Sequence, residues 1–429
     1  MKLGLENRER SVEVFGLIAL QLFQMVWFSS LLLGKTTLSH DNQIWNFPTF
    51  QWYFSDLANG HIPIFNFFTR FGEPFVPMAS QMRFWDPIQS FIGVVLWKLS
   101  PSAEIAFNWF HYLLGLIQCW GIFIFLRKYA TRAWIRVLVF AVLLMGSAFI
   151  TPFRQDGILN QFLWIPFIAM IVRDRFIYGK PTWRSCLLLG TLIGSAFQSY
   201  FFVMTGIFVF SYLAFSWINR VDLSSVWSLF RKPHLLALLI LPLVLMSGIN
   251  LMTLMETKNL KFPIRLMPTS IPEFYKFDAR RVIEADQRGE GLEMSQDRIR
   301  ITGAGTRFWD YIQMFSPWGN KQLSSNKELH YGDPSEAYFY IGLLPLVLGF
   351  LGLGLVKSKE DWVWLNIFTF FYLMSFGQDA LLMRSLAKVI PFLSFVRNAH
   401  CLTLFVHLSF MYFVVRGCNY IDEKLARAA

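Results

Sequence analysis

Apolar runs about as long as a bilayer is thick recur along this chain, and they constrain its fold more than any other feature. A helix needs about 20 largely apolar residues to cross the hydrocarbon core, and there every backbone polar group must be satisfied within the protein. The sequence offers such runs at roughly 14–33, 104–126, 134–150, 160–172, 185–198, 199–218, 234–252, 337–356, 361–376 and 400–415. It therefore predicts an all-α, polytopic transmembrane bundle of about ten spans. The run 87–97 is too short to cross and begins at Pro87, which suits an interfacial or re-entrant helix.

The rest of the composition agrees with lipid as the solvent. Only 16% of the residues are charged, against about a quarter in soluble domains. The 16 Trp and 14 Tyr suit the headgroup zone. Cys119, Cys186, Cys401 and Cys418 lie in or beside apolar segments without metal-like spacing, and read as small hydrophobes. The net charge of +11 falls in short clusters between apolar runs rather than along one helix face, which argues against nucleic acid as a partner. The first run is too long for a signal-peptide core and has no small-x-small cleavage pattern, so it reads as a retained helix.

Lys and Arg set the orientation. With the N-terminus in the cytoplasm, the inner face collects Arg8 and Arg10, the Arg127–Arg136 cluster, the Arg173–Arg184 cluster, Arg220, Arg231, Lys232, Lys357, Lys359 and Arg416. Both termini are then cytoplasmic, in the inner membrane of a bacterium. Three parts follow: a transmembrane module over 1–252 with a first outer loop at 34–103, a large outer loop at 253–336, and C-terminal helices over 337–429. A local echo links Arg83-Phe84-Trp85-Asp86-Pro87-Ile88-Gln89 with Arg307-Phe308-Trp309-Asp310-Tyr311-Ile312-Gln313, which suits amphipathic helices anchored in the interface.

Polar residues gather at the expected outer face. Asp41, between His40 and Gln43, is placed either to act as a general base or to cap a turn. His61 and Glu73 suit fold-holding hydrogen bonds. Arg154, Gln155 and Asp156 sit at the turn of a helical hairpin; Arg154 either holds a phosphate or pairs with Asp156. Arg397 and His400 precede the last span, where a cation and an imidazole suit an anionic ligand. Asp41, Asp86 and Asp156 have the oxygen chemistry to share a divalent cation such as Mg²⁺, though no spacing demands it. No nucleotide fingerprint or HExxH is present.

The order of these features resembles a known family. The early Asp is followed by Asn59-Gly60-His61-Ile62-Pro63-Ile64-Phe65-Asn66, then Arg154-Gln155-Asp156, then Tyr340-Ile341-Gly342-Leu343-Leu344-Pro345-Leu346, and finally Pro391-Phe392-Leu393-Ser394-Phe395-Val396-Arg397-Asn398. Together they resemble the YfhO-like bacterial membrane proteins of the GT-C glycosyltransferase superfamily. That resemblance implies inverting transfer of a sugar from a polyprenyl-phosphate carrier to an envelope glycan or lipid acceptor on the outer face. It casts Asp41 as the base, with His40, Gln43, Asp86, Arg154, Gln155, Asp156, Arg397 and His400 binding substrate or phosphate. The early Asp is single where many GT-C enzymes carry a pair, and YfhO-like proteins typically continue through more helices. The competing readings are a transporter or flippase of lipid-linked sugar and a non-catalytic membrane assembly partner. All share one partner, the membrane lipids.

Overall fold

The computed structural model describes residues 2–36, 38, 47–61, 65–66, 73–74, 86–146, 149, 163–196, 202–245, 341–376, 382, 385–386 and 402–428. Within them the chain is helical, apart from a two-residue antiparallel ladder that pairs β1 (Phe65–Asn66) with β2 (Glu73–Pro74). The helices are α1 (Lys2–Trp27), α2 (Ser29–Leu32), α3 (Phe47–Ala58), α4 (Pro87–Leu99), α5 (Ala103–Arg127), α6 (Ala133–Met145) and α7 (Ile165–Ile171). A π-helical turn over Val172–Ile177 extends α7. Then come α8 (Trp183–Ala196), α9 (Phe202–Ile218), α10 (Ser224–Phe230), α11 (Pro233–Leu245), α12 (Leu343–Leu353), α13 (Lys359–Ser375) and α14 (Thr403–Ala428).

This corrects the ten-span bundle expected from hydropathy. Among the described residues two helices, α5 and α14, are long and apolar enough to cross a membrane. A third crossing exists if α10 and α11 count as one broken span, but they meet at 86°. The physical reason is termination. Helix α6 has 13 residues and stops where Gly146 turns extended; at 1.5 Å per residue it reaches about 20 Å, short of a hydrocarbon core of about 30 Å. Helix α12 has 11 residues, fenced by Gly342 at φ 91° and by Gly354. Helix α7 gives way to the π turn after seven residues. Hydropathy windows run across such breaks. The short run beginning at Pro87 forms α4, 13 residues capped by Asp86.

Helix α5 lies at the centre. Phe110, Leu114, Cys119, Phe125 and Leu126 are wholly buried along it, between α4, α6 and α7. Helix α1 joins this core through polar groups. Gln24 donates to the Leu144 carbonyl at 3.0 Å and accepts from the Tyr112 hydroxyl at 3.2 Å, while Gln21 donates to that hydroxyl at 2.9 Å. In a dry interior such bonds fix which face of α1 turns inward. Asn108 of α5 likewise donates to the Leu31 carbonyl at 2.8 Å.

The outward faces are apolar too. On α1 a stripe at helical spacing faces outward, with Phe15 76% and Val26 72% exposed and Ile18 and Leu22 between them. Phe210 and Trp217 of α9, with Val347 and Phe350 of α12, are similarly bare. Apolar side chains on both the packed and the outer faces of helices are the mark of a lipid-embedded protein, since a water-soluble helix confines them to one stripe. Two to three long apolar helices agree with a membrane-embedded protein.

The tightest packing joins α12 to α14, where backbones touch through glycines. A Cβ on Gly352 would meet the Phe413 carbonyl, and one on Gly417 would meet the Leu348 carbonyl. Small residues let helices approach this closely where lipid gives no hydrophobic drive between them. Gly206 on α9 has open space around it instead. Gly352→Ala is expected to cost about 1–3 kcal/mol by overpacking. Gly206→Ala should be neutral or stabilise by about 0.5–1 kcal/mol through helix propensity. Thermal unfolding of the two variants in detergent micelles checks the contrast.

Candidate functional site

Of the residues the sequence nominates for catalysis or substrate binding, Asp86 is the one inside the described region; His40, Asp41, Gln43, Arg154, Gln155, Asp156, Arg397 and His400 lie outside it. Asp86 is fully buried at the N-cap of α4. Its carboxylate accepts from the Ile88 amide at 2.9 Å, the Gln89 amide at 3.3 Å and the Trp164 indole N–H at 2.5 Å. These donors hold the start of α4 against the start of α7. What the geometry gives Asp86 is a helix cap and a clamp between elements.

The richest polar assembly lies elsewhere, at the end of the bundle where the basic clusters meet. Glu13 of α1 is 3% exposed and pairs with Arg127 at 2.7 Å and Arg136 at 2.7 Å, tying α1 to the ends of α5 and α6. Glu9 accepts from the Ala133 amide at 2.7 Å, so an acid from α1 caps the first turn of α6. Asp422 of α14 accepts from Arg132 at 3.2 Å and from the Trp134 indole at 3.1 Å. Asn419 closes the same turn, accepting from the Thr131 hydroxyl at 2.9 Å and donating to the Tyr129 carbonyl at 2.7 Å.

A second half of this belt centres on Glu360 and Asp361 at the start of α13. Glu360 takes the Tyr129 hydroxyl at 2.6 Å and Arg173 at 2.7 Å. The Arg173 guanidinium also lies 4.8 Å over the Tyr129 ring and 5.0 Å over the Tyr178 ring, and it donates to Asp174 at 2.8 Å. The π turn brings Arg173 and Asp174 into this position, and Asp174 pairs in turn with Lys128. Asp361, 1% exposed, accepts from the Tyr412 hydroxyl at 2.6 Å, pairs with Arg416 at 3.1 Å and completes a capping box with Ser358.

Beside Glu360 the belt opens into a cleft of about 370 Å³. Its walls are Tyr178, Arg220 and Asp222 from the turns after the π segment and α9, with Ser358 and Lys359 from the cap and first residue of α13. Burial, then the Glu360 carboxylate, pushes the Tyr178 phenol up to about 12, so this wall stays neutral. Hydrogen bonds from the Ser224 amide and hydroxyl hold Asp222 below the usual carboxylate range.

Sequence reasoning found the cations of this belt as orientation signals. It missed their partners Glu9, Glu13, Asp174, Glu360, Asp361 and Asp422. The signal was there: each acid sits within a few residues of a basic cluster or at the first turn of a helix. Chemically, the belt neutralises charge and locks helix ends. Among the described residues, no three of His, Cys, Asp and Glu gather as a metal site.

The buried and exposed parts of the belt should respond differently. Glu13→Ala leaves two guanidinium groups without their counter-ion and is expected to cost about 3–5 kcal/mol. Asp422→Ala, opposite the half-exposed Arg132, should cost under about 1 kcal/mol. Chemical or thermal unfolding of each variant in the same detergent provides the comparison.

No protein-family model matches the chain, and neither a curated protein nor a solved structure matches it. The expected membership of the YfhO-like, GT-C glycosyltransferases is thereby corrected: no likeness in family or fold supports it, and the helices described lack the polytopic frame it requires. The sugar-transfer enzyme built on that membership falls with it, and so does the assignment of a polyprenyl-phosphate donor.

Proposed function

We propose that this chain is a multi-pass membrane scaffold whose ionic belt lies at the cytoplasmic face, with both termini on that side. The observation that carries the reading is that the helices bring their charged ends together. The ends of α1, α5, α6, α13 and α14 that carry Glu13, Arg127, Arg136, Asp361 and Arg416 meet at one end of the bundle. The other parts of these helices pack through apolar and amide contacts and expose apolar surface. A cationic excess at one end of the bundle supports the reading that this end faces the cytoplasm.

The carboxylates of the belt support a structural role rather than a chemical one. Glu13, Glu360 and Asp361 are each held by two or more donors. A general base needs a lone pair facing a substrate, and these face guanidinium groups, phenols and amides. Membrane lipids are the partner this reading requires.

The test is topology. A reporter that fluoresces only in the cytoplasm should be active when fused after Ala429 or inserted after Gly179 in the turn before α8. A reporter enzyme active only outside the cytoplasm should be silent at both positions. Activity of the second reporter at either site would overturn the orientation.

A further inference from the structure

We infer that the cleft beside the belt is a binding site for a phosphate-bearing anion, with Arg220 and Lys359 as its ligands. The inference rests on the membrane reading above and adds a specific site to it.

Charge comes first. Two acids and two cations line the cleft, but the acids are already engaged. Glu360 is taken by Arg173 and Tyr129, and Asp222 by the Ser224 amide and hydroxyl, each at 2.9 Å. The Arg220 guanidinium makes no hydrogen bond or ion pair among the described residues, and the Lys359 ammonium donates only to the Arg220 carbonyl at 2.7 Å. That single bond ties the two cationic residues to one rim and leaves their remaining N–H groups for a ligand. Guanidinium and ammonium donors together suit phosphate oxygens. The cleft's volume lies at the small end of ligand sites and is enough for a phosphate headgroup.

Backbone conformation adds to this. Arg220 has φ 56°, in the left-handed region, at the position just past α9 where glycine is the usual residue. The turn is closed by the Arg220 amide on the Trp217 carbonyl at 2.9 Å and the Val221 amide on the Ser216 carbonyl at 2.9 Å. A long cationic side chain here carries a conformational cost that glycine would avoid.

The surroundings favour a lipid over a free solute. Helix α10 follows the cleft and turns through 86° into α11, with Trp227 and Phe230 each about two-thirds exposed on it. Ser225 ties its start to the Gly179 carbonyl at 2.6 Å, beside Tyr178 of the cleft. A short helix with bare aromatics, bent away from the bundle, suits the headgroup boundary, where an anionic phosphate is within reach.

The experiment uses the purified full chain in neutral maltoside micelles. Short-chain phosphatidic acid, short-chain phosphatidylcholine and inorganic phosphate are titrated separately, with bound molecules counted by native mass spectrometry. Two variants probe the site: Arg220→Gln with Lys359→Gln, and Arg220→Gly alone. The glycine variant keeps the left-handed turn, so it folds at least as well as the natural chain. Arg231→Gln with Lys232→Gln removes the same charge elsewhere as a control. At about 1 kcal/mol per cation, phosphatidic acid should bind about thirtyfold more weakly to the double variant and about fivefold more weakly to Arg220→Gly, with the control unchanged. Inorganic phosphate binding that shows the same losses, without a lipid preference, supports the site with a soluble source. Equal weakening in the control, unchanged binding in Arg220→Gly, or no binding of either anion by the natural chain would overturn the proposal. Micelles have no inside, so this outcome is independent of the topology result.

Discussion

The pairing of buried carboxylates with arginines at one end of the bundle is the interaction on which the rest of this structure depends. Glu13 and Asp361 are buried and Glu360 partly so; each would be costly to hold there alone, and each is made tolerable by cations from other parts of the chain. Because each of these three acids is separated in sequence from its cations, the pairs act as long-range staples. They fix which helix ends lie side by side while the apolar contacts beyond them fill space with less selectivity. Lipid gives little preference for one apolar helix face over another, so a polar end supplies register that the core cannot.

Two kinds of polar contact thus divide the work. At the belt, ion pairs lock the helix ends. Deeper in, neutral amides and phenols do so instead: Gln21, Gln24 and Tyr112 bind α1 to α5 without placing a charge in the hydrocarbon. Between α12 and α14, glycines bring the backbones together. The choice follows depth and spacing, since the penalty for charge rises toward the bilayer centre. The cleft at Arg220 and Lys359 is where this compensation stops short, with cations left over at a face that meets anionic groups.

What could be read in the sequence varies with the physics of each element. Helix α5 was legible nearly to the residue, 104–126 against Ala103–Arg127, because one uninterrupted apolar run is bounded by Ser102 at its cap and by Arg127. Helix α14 was legible at its start but not its end. Its last three turns carry Arg416, Asn419 and Asp422, which hydropathy discards and tertiary bonding keeps. The shortness of α6 and α12 was hidden because Gly146 and Gly342 barely change an average over 18 residues, yet their backbone conformations end a helix. Asp86 stood out through an echoed motif, and it proves to be a cap whose indole partner, Trp164, lies 78 positions away. The acids of the belt were missed because orientation is read from cations alone.

The separation of Glu13 from its cations also sets a timetable for synthesis. Arg127 and Arg136 are made more than a hundred residues after Glu13, which at ribosomal rates is on the order of ten seconds. During that interval α1 has neither counter-ion, and a carboxylate cannot enter hydrocarbon alone. The groups that hold α1, Arg127, Tyr112, Ala133, Arg136 and Leu144, all lie on α5 and α6, so its packing is completed only when those helices arrive. The N-terminal helix is the first to be made, yet it is seated only after α5 and α6.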